Sequence, residues 1–352
     1  MPTSYEPAVA ALDRLVLLGL ADHLHRHGGP GRAPQAAPAV LPRFRWIPEH
    51  WAAQLAAHGM TTRPGRAELA AARRSLDPAR RTLGYGPELA ELLLRSLRLL
   101  PELLAGAVGV QALLYPDGDL ATAEVAYRTN TVSAYLNARA GRPLEVLELG
   151  GGVGATTAEL LPAVAAHGLA RYRFTDVSPF FLDLARRRFA PAAPAHVETL
   201  PRGTAPFGTA PFETARLDID DLASVAAAEP GGVDLVVAAT MAHNARDVDA
   251  FLAAVAALLR PHGRLILVEP VIEHPQSLTT MPFALTGPGG PPVRSDLRAG
   301  TRRTYLRLEE WAAALAGAGL RIECSLPPPG HPLAAFSQHL VVAAPTSPEG
   351  VP

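Results

Sequence analysis

The sequence predicts an α/β protein in two parts: an all-helical region over residues 1–142, then, over residues 143–352, a parallel sheet with helices on both faces. Three observations carry this. Apolar residues recur at helical spacing through the first part. Short apolar strands alternate with helices through the second, the pattern of a covered parallel sheet. The change falls at Pro143, immediately before the strand-like LEVLEL. With 352 residues, 48% of them apolar and 18% charged, the chain can bury one large core or two ordinary ones.

In the first part the helical segments are ALDRLVLLGLADHL, EHWAAQLAAHGM, PELAELLLRSLRLLPELL and DLATAEVAYRTNTVSAYLNA, and the Gly- and Pro-rich stretch 27–42 is a loop. In the second part LEVLEL is followed by a helix from Val153, then RYRFTDV, a helix through Arg188, FETARLDI, VDLVVAAT, a helix from Asp247 and GRLILVEP. A Pro/Gly-rich excursion at 282–292 precedes the helix LEEWAAALAGAG and two last strands, LRIECSL and QHLVVAA. The duplicated GTAPFGTAPF at 203–212 reads as a surface loop.

Composition removes several function classes. A net charge of −1 gives no broad cationic surface for a nucleic-acid backbone. No apolar run reaches the roughly 20 residues that span a bilayer, and the start MPTSYEPAVA lacks the basic, cleavable pattern of a secretory signal, so no membrane partner and a cytoplasmic location are expected. The single cysteine, Cys324, forms neither an internal disulfide nor a multi-thiolate zinc site, and it reads as buried and inert. Every basic residue is arginine. Without lysine there is no Schiff base to pyridoxal phosphate, no P-loop lysine and no Tyr-Lys reductase pair.

The most informative segment follows the first strand: Glu148-Leu149-Gly150-Gly151-Gly152-Val153-Gly154, running into an apolar helix. Glycines at a strand-to-helix turn admit a ligand against bare backbone and leave helix N–H groups facing it. Gly150, Gly152 and Ala155 also satisfy a dinucleotide fingerprint, so the turn alone leaves a nicotinamide cofactor and S-adenosylmethionine both open. Glu148 favours the second: a carboxylate there attracts an amino group and repels a pyrophosphate. Asp176, 22 residues beyond Gly154, ends the second strand where an acid can bond both ribose hydroxyls. Asp218 ends the third strand, placed to accept from an adenine amino group while Ile219 packs its ring. Helix capping is the ordinary alternative for each acid.

These segments resemble the class I S-adenosylmethionine-dependent methyltransferases, and among them the C-methyltransferase domains of polyketide synthases. VLELGGGVGATTAELLP looks like that family's glycine motif and YRFTDVSPFFLDLARRRF like its second-strand motif; DLVVAATMAHNARDV, LRPHGRLILVEP, SDLRAGTRR and LEEW look like later landmarks. The resemblance covers about residues 100–345. It implies a Rossmann-like class I methyltransferase sheet of seven strands, the last inserted antiparallel, under an N-terminal all-helical lid domain. It implies S-adenosylmethionine as cofactor and a catalytic pair, His243 after the fourth strand and Glu269 at the end of the fifth. Thr240 stands where the family pattern has Asn.

Imidazole suits the removal of a proton between two carbonyls, since its ordinary pKa of about 6.5 lies near neutrality, and a glutamate on its other nitrogen would set the tautomer. His243 is therefore the expected general base and Glu269 its orienter. The pair would serve equally for deprotonating a hydroxyl, so O-methylation stays open beside C-methylation of an enolisable β-ketoacyl substrate. A nicotinamide-dependent oxidoreductase and a non-catalytic cofactor-binding protein are the readings from other classes. Tyr127, Asn130 and Tyr135, on the helix before the glycine turn, and Asp296 and Arg298, in the late irregular segment, are candidates for the acceptor pocket. The acceptor is expected to be a small molecule or a carrier-bound acyl group; the sequence holds no carrier segment, so a free-standing enzyme is expected. His23, His25 and His27, and separately His243, Glu269 and His274, are minority metal arrangements; no metal is expected.

Overall fold

The computed structural model describes residues 4–27, 39–114, 144–166, 168–190, 212–229 and 232–346. Tyr127, Asn130 and Tyr135, and the duplicated loop up to Pro211, lie outside these residues.

Helices α1 (Glu6–His27), α2 (Trp46–Ala57), α3 (Arg66–Thr82), α4 (Pro87–Arg98), α5 (Leu100–Leu104) and α6 (Gln111–Leu114) form one layer. Its axis is α1, whose Leu12, Leu15, Val16 and Leu20 are fully enclosed. Apolar spacing does not announce α3, because only Ala72, Leu76 and Ala79 of that largely charged helix are buried. The layer's core also takes in Leu278 and Phe283, which come from the far end of the chain. Polar contacts fix that intrusion: Trp51 Nε1 donates to the Leu278 carbonyl at 2.9 Å and Ser96 Oγ to Thr279 Oγ1 at 2.9 Å. The Asp13 carboxylate, on α1, accepts from the Gln276 backbone N–H and faces His274 Nδ1 at 3.0 Å.

The sheet has seven strands: β1 (Leu144–Leu149), β2 (Leu169–Asp176), β3 (Phe212–Arg216), β4 (Val233–Ala239), β5 (Leu259–Pro270), β6 (Leu320–Leu326) and β7 (Gln338–Pro345). Their order is β3-β2-β1-β4-β5-β7-β6. The first five run parallel, and β7 lies antiparallel between β5 and β6, as the resemblance implies. On one face Leu160 and Val164 of α7 (Ala155–Ala166) pack with Leu182 and Ala185 of α8 (Pro179–Phe189) against Val146, Tyr172 and Val237. On the other, α9 (Leu222–Ala228), α10 (Val248–Leu258) and α12 (Leu308–Gly317) cover Leu147, Val236 and Leu265 with Val225, Phe251 and Trp311. Both faces being covered explains why β1 and β4 are buried along nearly their whole length, with Glu145, Glu148 and Asp234 included. A short helix, α11 (Met281–Leu285), lies within the segment that joins the helical layer. Asp247 caps α10, its side chain accepting from the Ala250 N–H. Cys324 is half-buried on β6 rather than fully enclosed, since β6 is an edge strand with one neighbour. Among the described residues no helix is long and apolar enough to cross a membrane.

Parallel strands β1, β2, β3, β4 and β5 end at one edge, and the loops leaving that edge carry the chemistry-bearing residues. The helical layer reaches the edge through residues 274–283. Replacing Trp51 by Phe keeps the ring but strands the Leu278 carbonyl, and the expected loss in unfolding free energy is about 1–3 kcal/mol, measured by denaturant titration.

Candidate active site

The glycine turn has the backbone its composition suggests. Gly150, Gly152 and Gly154 all have positive φ, at 58°, 53° and 75°, a region that side chains with a Cβ rarely occupy. A Cβ on Gly152 would meet only the Gly150 carbonyl oxygen, at 4.0 Å, whereas one on Gly150 would crowd Met241 at 3.0 Å. The turn is thus bare on the side where a ligand approaches and tightly backed by the loop after β4. Gly151 N–H donates to the Thr175 carbonyl and Gly152 N–H to Asp176 Oδ2, which fastens the turn to the end of β2.

The three acids sit in different surroundings. Glu148 is 1% exposed, and its Oε2 accepts from Thr157 Oγ1 at 2.6 Å and Tyr172 Oη at 2.7 Å. Burial pushes its carboxyl up to about 7, outweighing the two hydroxyl donors that pull the other way. Asp176 uses both oxygens, Oδ2 on Gly152 N–H and Oδ1 on Ser178 N–H at 2.8 Å, and burial again raises its pKa. Asp218 departs from expectation. The β2–β3 ladder ends at Asp176 and Arg216, so Asp218 lies two residues beyond its strand, exposed, with Oδ1 accepting from Asp220 N–H. Ile219 beside it is half-buried against the second-face core.

His243 and Glu269 meet. His243, 3% exposed, sits in a single 3-10 turn after β4, and its Nδ1 lies 2.6 Å from Oε2 of Glu269, which is 1% exposed at the end of β5. The other oxygen, Oε1, accepts from Met241 N–H at 2.9 Å and Ala242 N–H at 2.7 Å. A carboxylate can only accept here, so Nδ1 carries the hydrogen of this bond and Nε2 is the ring nitrogen left for other partners. Tyr305 stands edge-on to the imidazole, ring centres 5.0 Å apart. His243 lines a cavity of about 340 Å³ whose other end is walled by Leu12, Leu89, Leu92 and Leu93 of the helical layer.

Asp296 and Arg298 are not where an acceptor-pocket role would put them, and neither lines this cavity. Arg298 is fully buried, ion-paired to Asp296, and donates to the carbonyls of His243 at 2.6 Å, Ala245 at 2.8 Å and Thr304 at 2.8 Å. Asp296 also accepts from Val248 N–H at the start of α10. With every partner a main-chain group or each other, the pair braces the His243 turn from behind. Thr240, the departure from the family pattern, has φ 53°, a strained value for a β-branched residue.

The histidine clusters resolve into packing. His23 is buried edge-on to Trp51, and burial lowers its pKa to about 4. His274 pairs with Asp13 and faces the Ala335 carbonyl through Nε2. Among the described residues no group of three His, Cys, Asp or Glu is placed to hold a metal ion. Thr157, Tyr172 and Tyr305 carry no mark in the sequence pattern as site residues. Thr157 follows the glycine turn closely enough to have been a candidate, but Tyr305 comes from a segment without periodicity.

Comparisons with known proteins agree with this arrangement. A family model described as "Methyltransferase domain" matches residues 147–265. The chain is 29% identical, over 96% of its length, to pyochelin synthetase PchF of Pseudomonas aeruginosa, but it spans only 19% of that relative. It superposes on the crystal structure of the CurJ carbon methyltransferase with a TM-score of 0.74 and 21% identity, covering 96% of this chain and 92% of that one. Against the citrinin polyketide synthase CMeT domain the TM-score is 0.70 at 17% identity, covering 97% and 90%. At such identities the structural likeness establishes the fold.

Two outcomes follow from the geometry. Glu148→Gln is expected to raise the melting temperature of the cofactor-free protein at pH 8 and to change it little at about pH 4. A carboxyl raised from 4.5 to about 7 costs stability as the pH climbs between those values, because the unfolded chain ionises it while the folded site holds it protonated, and Gln has no such dependence. Thr240→Asn is expected to stabilise by about 1 kcal/mol, since Asn tolerates the left-handed region, as read by thermal denaturation. Taken with the bare glycine turn and the buried carboxylates around it, family match and fold agree: residues 147–265 match a methyltransferase domain within a Rossmann-like methyltransferase fold, and the chain resembles the S-adenosylmethionine-dependent C-methyltransferase domains of polyketide synthases.

Proposed function

We propose that this methyltransferase acts on the carbon of an enolisable β-ketoacyl acceptor, delivered on a carrier or as a small thioester, with His243 as general base. The observation that carries the proposal is the 2.6 Å contact between His243 Nδ1 and Glu269 Oε2 beside a cavity that His243 lines together with leucines of the helical layer.

S-adenosylmethionine, when bound, supplies a methyl group already activated by its sulfonium. Residues suited to hold it are Gly150, Gly152 and Gly154 through their bare backbone, Glu148 toward its amino group, Asp176 toward its ribose hydroxyls, and Asp218 with Ile219 at its adenine. A carboxylate-rich, cation-seeking donor set fits this cofactor and repels a pyrophosphate. Met241 connects the two centres, since it packs over Gly150 and its N–H binds the Glu269 carboxylate.

The difficult step for a carbon acceptor is making the enolate, and the chain's own groups address it. His243 Nε2 takes the acidic proton between the two carbonyls. Glu269 keeps Nδ1 protonated and balances the imidazolium that forms, and its two backbone donors keep its other oxygen from turning away. The ring is further restrained by Tyr305 and, through its main chain, by Arg298. Leu12, Leu89, Leu92 and Leu93 exclude water from the end where an acyl tail would lie.

Incubating the protein with methyl-labelled cofactor and a β-ketoacyl thioester is expected to place the label on the α-carbon, read by mass spectrometry; label on oxygen would overturn the carbon assignment. His243→Ala and Glu269→Gln are expected to lower turnover by about 10² or more while S-adenosylhomocysteine binding persists. Intact turnover in either variant removes the dyad from the chemistry.

A further inference from the structure

Glu273 is a carboxylate that neither the glycine turn nor the contact between His243 and Glu269 uses, yet it reaches the wall of the His243 cavity. Its Oε1 accepts from the Thr304 N–H at 2.5 Å and the Tyr305 N–H at 2.7 Å. Tyr305 lines that cavity, is 8% exposed, and stands edge-on to the His243 imidazole. Thr304 and Tyr305 lie in irregular chain, where no helix or ladder supplies acceptors, so one carboxylate oxygen satisfies both N–H groups. The carbonyls of the same two residues are held as well, Thr304 by Arg298 Nη1 at 2.8 Å and Tyr305 by Arg303 Nη2 at 3.1 Å.

A carboxylate can place a neighbouring segment only if its own loop is fixed, and the Glu273 loop is pinned on both sides. Ser337 Oγ accepts from the N–H groups of Val271 at 3.1 Å and Ile272 at 2.9 Å. On the other side His274 faces the Asp13 carboxylate of α1 at 3.0 Å. Glu273 thus stands at a set distance beyond the end of β5, the strand that presents Glu269. Burial raises its pKa, against the backbone donors of Tyr305 and Thr304 and the nearby charges of Arg303 and His243, which lower it.

Glu269 holds the imidazole at Nδ1, and a single contact at one nitrogen leaves the ring able to swing about it. An aromatic ring packed edge-on removes that freedom. We infer that Glu273 is a positioning residue for His243: it fixes the Tyr305 backbone so that the Tyr305 ring confines the imidazole. The reach of the Glu273 oxygen, rather than its charge, does this. The inference rests on the general-base reading of His243 and names what keeps that ring in line.

Two conservative variants separate reach from charge. Glu273→Asp keeps the charge on a side chain one methylene shorter, whereas Glu273→Gln keeps the length and an acceptor oxygen without the charge. In Glu273→Asp kcat is expected to fall roughly tenfold or more, the scale of a small misplacement, with KM and S-adenosylhomocysteine affinity held within about twofold. In Glu273→Gln most of kcat is expected to be retained. Tyr305→Leu is expected to match the loss in Glu273→Asp, and the double variant to lose little more, since both act through one ring. The His243 imidazole resonances of isotope-labelled protein, identified by their disappearance in His243→Gln, are expected to shift in Glu273→Asp and in Tyr305→Leu, which reads placement without turnover. The reverse order, with Glu273→Gln impaired and Glu273→Asp intact, overturns the inference. So do full activity in both, losses that multiply in the double variant, a rise in KM at unchanged kcat, or unmoved His243 resonances in Glu273→Asp. Should Glu273→Asp fail to fold, Glu273→Gln decides: retained kcat with unmoved resonances upholds the inference and collapsed kcat overturns it. If His243→Ala keeps full turnover, the general-base reading falls instead, and the His243 resonances alone judge whether Glu273 places the ring.

Discussion

The Glu269 carboxylate is the point on which the loop-bearing edge of the sheet depends. One oxygen takes two backbone N–H groups from the turn after β4, and the other faces His243 Nδ1. A buried carboxylate is tolerable only when such donors satisfy it. Because they come from a loop rather than a regular element, the same bonds that keep the charge inside also give the loop its shape. Arg298 and Asp296 complete the arrangement from the opposite side, by satisfying the carbonyls that the tight turn leaves without helical partners. His243 is thus held through its own main chain as well as through its ring.

The acids near the glycine turn are used in the reverse sense. Asp176 spends both oxygens on backbone N–H groups and so shapes the turn, although each oxygen retains a second lone pair. Glu148 lies beneath it, held by two hydroxyls and desolvated enough to sit near its midpoint at neutral pH. A carboxyl poised in this way becomes an anion most readily when a cation arrives beside it. The turn therefore combines a rigid backbone with a charge that responds to what it binds.

Much of the architecture was legible because it repeats. The boundaries of β1 and β6 match the runs LEVLEL and LRIECSL, since a strand buried on both faces or paired at an edge leaves a contiguous signature. His243 and Glu269 could be paired in advance because adjacent strand ends meet at one edge of a parallel sheet. Asp218 was placed too early, as nothing in LDID marks where the β2–β3 ladder stops. Asp296 and Arg298 look like surface or pocket charges in sequence and are in fact an enclosed brace. Their partners are main-chain carbonyls, which have no identity in a sequence.

Local composition, then, determined the helical and α/β parts, the glycine turn and the residue types able to bind a sulfonium cofactor and remove a proton. These follow from periodicity and from the backbone freedom of glycine, both local properties. Tertiary structure alone decided that residues 274–283 join the helical layer, that Glu148 is desolvated, and that Arg298 is paired while Glu273 holds the Tyr305 backbone. Each of those depends on which distant groups come within hydrogen-bond reach and which water they displace, and chain order does not encode that distance.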